Sequence, residues 1–178
     1  MKKIKQRKRA AISSYISKDY KAQVKNSLLI GDSDILENEC DTVPHNQGVG
    51  MITRNMKDLL TFTKNGIGLA ANQIGSHWRI IAIYPYRKRM EIMINPVIIK
   101  SYGGLDVKYE GCLSYPGVRI KITRPHTIVL TYEDEARGEY TKTIHGMEAR
   151  IIQHEVDHIN EGHCKLYPVW KNNNNKFT

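Results

Sequence analysis

No run of apolar residues in this 178-residue chain approaches the ~20 that a membrane-spanning helix needs. Cysteine is scarce. Cys40, Cys112 and Cys164 lie far apart and are odd in number, which excludes a disulfide framework and points to a reducing compartment. Acidic residues are missing before Asp19, whereas Lys2, Lys3, Lys5, Arg7, Lys8 and Arg9 crowd that same segment. No continuous apolar stretch follows these charges, so they do not open a secretory leader. Internal repeats are absent as well.

What is present is ordinary for a globular chain: 40% hydrophobic and 25% charged residues, with a length that suits one domain and a real core. The net charge of +9 belongs mainly to the basic arm, which holds six of the positive residues. Three readings fit such an arm: a solubilising leader, a contact with RNA or the ribosome, and an organelle-targeting segment.

Residues 1–26 read as this polar extension, partly helical around Ile12, Tyr15 and Ile16, and 27–168 as the folded domain. Residues 169–178 read as a disordered tail, because Asn172 to Asn175 form a low-complexity run. Apolar positions Ile52, Met56, Leu59, Leu60 and Phe62 predict an amphipathic helix over 51–64, stopped by Asn65-Gly66. Strands are expected at 78–84, 91–99, 118–123, 127–132 and 139–144, with a hairpin turn at 133–138. A second helix is expected over 147–160, with Gly162 as its stop. This order gives an α+β fold: antiparallel sheets packed around a central C-terminal helix, with an N-terminal helix beside them.

Residues 154–158 read His-Glu-Val-Asp-His. On a helix, positions i and i+4 stand one above the other, so His154 and His158 can chelate one cation. Glu155 lies beside them, where it can act on a water as a general base. The same stripe runs back through Ile151 and Met147, so the ligand face is also the core face. Such a pentapeptide also arises by chance, and a third donor is needed. Cys112, within Glu-Gly-Cys-Leu-Ser at 110–114, is the best candidate. A lone cysteine is usually a small buried hydrophobe, but a thiolate completes a Cys-His-His set with one open position, the mark of a catalytic site. His163 and Cys164, just past the helix stop, are set aside as rivals. In Gly66-Ile-Gly-Leu-Ala-Ala-Asn-Gln73, small residues let backbone approach a ligand, and Gln73 offers an amide donor for an oxyanion.

Together these segments resemble the peptide deformylase family, whose three signatures appear in order as GIGLAANQ, EGCLS and QHEVDH. Softer matches at 79–82, 94–96 and 146–153 extend the resemblance over residues 28–168. The resemblance implies that Cys112, His154 and His158 bind one divalent metal per chain and that Glu155 is the acid/base. It also implies that Gln73 and the Leu113 N–H form the oxyanion hole, and that Gly68 and Gly111 pair with the substrate backbone. Ile67, Met147 and Ile151 would line the methionine pocket, with Arg150 narrowing it, and Glu110 and Arg124 would form a supporting salt bridge. The implied reaction removes the formyl group from N-formyl-methionyl nascent peptides and releases formate. Fe²⁺ is the implied cation, with Zn²⁺, Ni²⁺ and Co²⁺ suited to the same ligands. A cytoplasmic monomer in a bacterium or a virus-infected host follows, with the ribosome as a partner of the basic arm. The segment His158-Ile-Asn-Glu-Gly162 departs from the family by one extra residue before the glycine. An HExxH metallopeptidase, or a ribosome-associated protein with a purely structural metal, would be the rival readings.

Overall fold

Two long strands dominate the architecture of the computed structural model, which describes residues 18–174. The elements are α1 (Lys18–Asn26), α2 (Gly50–Phe62), β1 (Gly68–Ala70), β2 (Ile80–Ile83), β3 (Glu91–Cys112), β4 (Tyr115–Glu133), β5 (Glu139–His145), α3 (Gly146–Glu161) and α4 (Tyr167–Asn174). The five strands pair antiparallel in the order β1-β2-β3-β4-β5. The fold is α+β, as expected.

Glycine and proline punctuation suggests shorter strands than the chain forms. Gly103 and Gly104 have positive φ, yet they sit in a bulge between the Tyr102 and Leu105 pairings and β3 runs on. Pro125 pairs with Leu105 inside β4. Bulges absorb the irregular residues without ending the ladder, and they sharpen the local twist. The ladder therefore extends as far as Cys112 paired with Tyr115, which leaves Leu113 and Ser114 as a tight turn. The predicted turn at 133–138 forms, with Asp134 Oδ1 accepting the N–H groups of Ala136 and Gly138, each at 2.9 Å.

Strand β2 explains how the layers assemble. All four of its residues, Ile80-Ile-Ala-Ile83, are fully buried. Side chains alternate across a strand, so Ile80 and Ala82 pack with Met56, Leu59 and Leu60 of α2. Ile81 and Ile83 pack with Ile151, Ile152, Val156 and Ile159 of α3. Each such fully buried aliphatic side chain contributes ~1.5–3 kcal/mol.

The ends of the chain depart from expectation. Residues 18–26 form α1, which docks on α2 through buried Val24 and a 2.7 Å hydrogen bond from Tyr20 Oη to Asp58. The proposed helical turn around Ile12, Tyr15 and Ile16 lies outside the described residues. Residues 169–174, expected to be disordered, belong to α4, because Trp170 packs on Tyr115 with ring centroids 5.8 Å apart. Trp170 also fills the space over Gly31, where a Cβ would lie 2.4 Å from the indole.

Candidate active site

Helix α3 carries most of the site because one stripe holds both core residues and donors. His154 and His158 stand one turn apart with ring centroids at 5.4 Å. They are buried, as is Glu155 between them in sequence. Cys112 enters from the tight turn at the end of β3, with its Sγ 3.2 Å from His158 Nε2. The donor atoms of Cys112, His154, His158 and Cys164 all lie within 4.8 Å of one another. Two imidazoles and two thiols converging in a buried space suit a divalent cation. Burial opposes a charge on His154, while Cys164 and Glu110 act the other way and raise its pKa well above the ordinary value. Of the two thiols, burial pushes Cys112 up, whereas contact with Cys112, against the effect of burial, and contacts with His154 and His158 lower Cys164.

Glu110 organises the far side of His154. Its Oε2 accepts from His154 Nδ1 at 3.0 Å and Arg124 Nη2 at 2.9 Å, and its Oε1 from Arg124 Nε at 2.7 Å and Arg150 Nη1 at 2.6 Å. Burial resists ionisation here, but the bonds from His154 and Arg124 prevail and hold the carboxyl at about 2. A carboxylate on Nδ1–H fixes the tautomer and leaves Nε2 as the donor. The Glu110–Arg124 pair is therefore present, but it belongs to a larger network. Arg124 also donates to Asp157 at 2.9 Å. Arg150 lines the cavity while its guanidinium is committed to Glu110 and to backbone oxygens of Ile122 and Asp106.

A cavity of about 570 Å³ opens over this centre. Ile67, Gly68, Gly111, Leu113, Met147 and Ile151 all line it, beside Gln73, Cys112, His154 and Glu155. Burial raises Glu155 to about 6, with His154 and His158 pulling the other way. Its Oε2 is buried without a hydrogen-bond partner among the described residues. Leaving such an atom unsatisfied costs ~1–3 kcal/mol or more, and reactive carboxylates carry that cost. Gln73 is held rigidly: Oε1 accepts the Ala70 N–H at 2.8 Å, while Nε2 donates to Ser114 Oγ at 3.0 Å and lies 3.5 Å from Cys112 Sγ.

Gly68 has a steric reason to be glycine. A Cβ there would lie 2.2 Å from Glu155 Oε1 and 2.8 Å from Ile151 Cγ2. Gly68→Ala is expected to displace the Glu155 carboxylate and lower kcat/KM by ~10²-fold, the scale of a 1 Å misplacement. Near-wild-type kinetics in the purified variant would show that the carboxylate does not depend on this contact.

Three further residues hold the site without having been singled out for it. Asn72 Nδ2 donates to the carbonyls of His158 at 2.8 Å and Gly162 at 3.2 Å, capping the end of α3. Ser114 anchors Gln73. Cys164, set aside as lying beyond the helix stop, joins the donor cluster, whereas His163 turns away to stack on Tyr167. Only the count of residues after His158 could have signalled it.

Comparison with known proteins agrees with this geometry. The family model for polypeptide deformylase matches residues 25–165. A peptide deformylase from Prochlorococcus marinus is 42% identical over 116 residues, covering 61% of this chain and 57% of its own length. The chain thus spans less than two thirds of that relative. One from Karelsulcia muelleri is 34% identical over 74% of this chain and 72% of its own. Among solved structures, the Plasmodium falciparum peptide deformylase in complex with an inhibitor superposes with a TM-score of 0.72 at 30% identity, over 84% of this chain and 94% of that one. The enzyme of Vibrio parahaemolyticus bacteriophage VP16T, in complex with actinonin, gives 0.70 at 33% identity, over 77% and 98%. With its family match running from the end of α1 to the residue after Cys164, the chain belongs to the polypeptide deformylase family.

Proposed function

We propose that this chain hydrolyses the N-formyl group of formyl-methionyl nascent peptides, releasing formate. The observation that carries the reading is the buried Glu155 carboxyl, its Oε2 without a hydrogen-bond partner among the described residues, lining the same cavity as Cys112 and His154. A divalent cation held by Cys112, His154 and His158 would supply Lewis acidity and lower the pKa of a water. Glu155 then takes the water proton and returns it to the leaving amine, a task suited to a carboxyl near 6. In this reading the Leu113 N–H and the Gln73 amide, from two residues that line the cavity, receive the oxyanion, with Gln73 Nε2 giving up its long contact to Cys112. Ile67, Met147 and Ile151 clasp the methionine side chain, and Gly68 and Gly111 leave their backbone open to the peptide.

Fe²⁺ is our reading for the working cation, supported by the redox-compatible thiolate and imidazole donors. Anaerobically prepared protein, reconstituted separately with Fe²⁺, Ni²⁺ and Zn²⁺, should release formate from a short formyl-Met peptide and spare its unformylated twin. Cleavage of internal peptide bonds without formate release would replace this reading with that of a peptidase.

The basic arm supports a contact with ribosomal RNA, where formylated chains emerge. Removing residues 2–16 is expected to leave peptide activity intact and to weaken ribosome co-sedimentation, with a shallower salt dependence. Identical sedimentation of both forms across a salt series would end the ribosome assignment.

A further inference from the structure

Cys164 is buried in the layer formed by Tyr115, Val118, Ile122 and Leu166, where a thiol is ordinarily an inert filler. Its surroundings are not wholly apolar. Its Sγ lies within 4.8 Å of the donor atoms of Cys112, His154 and His158. A cation bound tetrahedrally by two thiolates and two imidazoles needs donors roughly 3.3–3.8 Å apart, so the four atoms need contract only slightly.

The backbone delivers this thiol deliberately. At Gly162 φ is +74°, and a Cβ would meet the Glu37 carbonyl carbon at 2.5 Å, so only glycine can make the turn that ends α3. Asn72 holds the turn by donating to the His158 and Gly162 carbonyls. The next residue, His163, is drawn outward by a 2.8 Å hydrogen bond with Tyr115 Oη and by stacking on Tyr167 at 3.5 Å. With His163 directed one way, Cys164 faces the other, into the cluster. Four side chains and one glycine thus fix a residue that needs no such precision as a filler.

We propose that Cys164 is a fourth protein ligand of the metal, giving a Cys₂His₂ set. This rests on the metal reading of the site given above. Cys164 reaches the cluster from the core, because it does not line the cavity, whereas Cys112 and His154 do. The cavity side is thereby kept for an exchangeable fifth ligand, an expansion that zinc accommodates. Two thiolates neutralise the charge of a divalent cation, so the set holds metal tightly and acidifies water less than a Cys-His₂ set.

The direct test counts sulfurs on the full-length wild-type protein loaded with Zn²⁺. X-ray absorption at the zinc edge should find two sulfur donors, and one sulfur would overturn the proposal. Variants give an independent reading under anaerobic, reducing conditions. In Cys164→Ser loaded with Co²⁺, thiolate charge-transfer absorption should fall to about half the wild-type value, one thiolate of two remaining. By chelator competition its Zn²⁺ affinity should fall at least ~100-fold, beyond what loss of an outer hydrogen-bond partner costs. Wild-type absorption and affinity in a folded Cys164→Ser protein would also overturn the assignment. Cys112→Ser serves as the reference for loss of a ligand. If wild-type protein takes up no metal, the reading of the whole site fails. If it does so through one sulfur, only Cys164 is wrongly assigned.

Discussion

Glu155→Gln is expected to take up metal as the wild type does and to lose ~10²–10⁴-fold in kcat, the contribution of a positioned acid/base. The substitution preserves shape and removes only the ability to carry a proton. None of the donors in the cluster is touched, since the cluster comprises Cys112, His154, His158 and Cys164. Burial that raises the carboxyl to about 6 is what suits it to both halves of the task, taking a proton and giving it back near neutral pH. A glutamine in the same place leaves KM nearly unchanged, because the proposed methionine pocket is lined by Ile67, Met147 and Ile151. Metal analysis must accompany the kinetics. A metal-replete variant within tenfold of wild type would remove Glu155 from the chemistry and leave it a structural acid.

Glu110→Gln is expected to be the most damaging change outside the donor cluster. Its carboxylate accepts from Arg124, Arg150 and His154, and all four groups are buried or nearly so. Removing the anion leaves two buried guanidiniums with Asp157, 2.9 Å from Arg124, and Asp106, 3.9 Å from Arg150, as compensating charges. Breaking a buried pair in this way costs ~3–5 kcal/mol. The imidazole of His154 also exchanges an anionic acceptor for at best a neutral amide oxygen, which lowers metal affinity ~10–100-fold. Urea unfolding of the metal-stripped protein isolates the first effect and chelator competition measures the second. If the midpoint in urea stays put while metal affinity falls, the arginines have found solvent and Glu110 serves the metal alone.

Much of the site was legible because its chemistry demands particular residue types at helical spacing. His154, Glu155 and His158 share one turn of α3, and Cys112 stands in a motif with glycine before it. Ile67, Gly68, Gly111, Met147 and Ile151, drawn from separate segments, line one cavity. Strand lengths were not legible, because Gly103, Gly104 and Pro125 look like stops in one dimension and become bulge and edge features when a partner strand is present. The asparagine run suggests disorder over 169–178, but residues up to Asn174 belong to α4, whose Trp170 packs on Tyr115, and residues 175–178 lie outside the described residues. Cys164 reads in sequence only as a rival to be set aside, because its position depends on how the chain leaves a helix, which Gly162, Asn72 and His163 decide together.

Ten of the sixteen residues of α3 are buried, and the same helix supplies His154 and His158 to the cluster while Ile152, Val156 and Ile159 fill the core against β2. Ligand supply and core integrity therefore share one backbone. Free cation at 1,000 times its dissociation constant adds ~4.1 kcal/mol to the folded state, a large part of a small domain's total stability. A chain starved of metal is thus also a looser chain, opened more often to proteases. Cellular lifetime becomes a gauge of loading: the pool of this protein would shrink with metal scarcity rather than persist as idle copies.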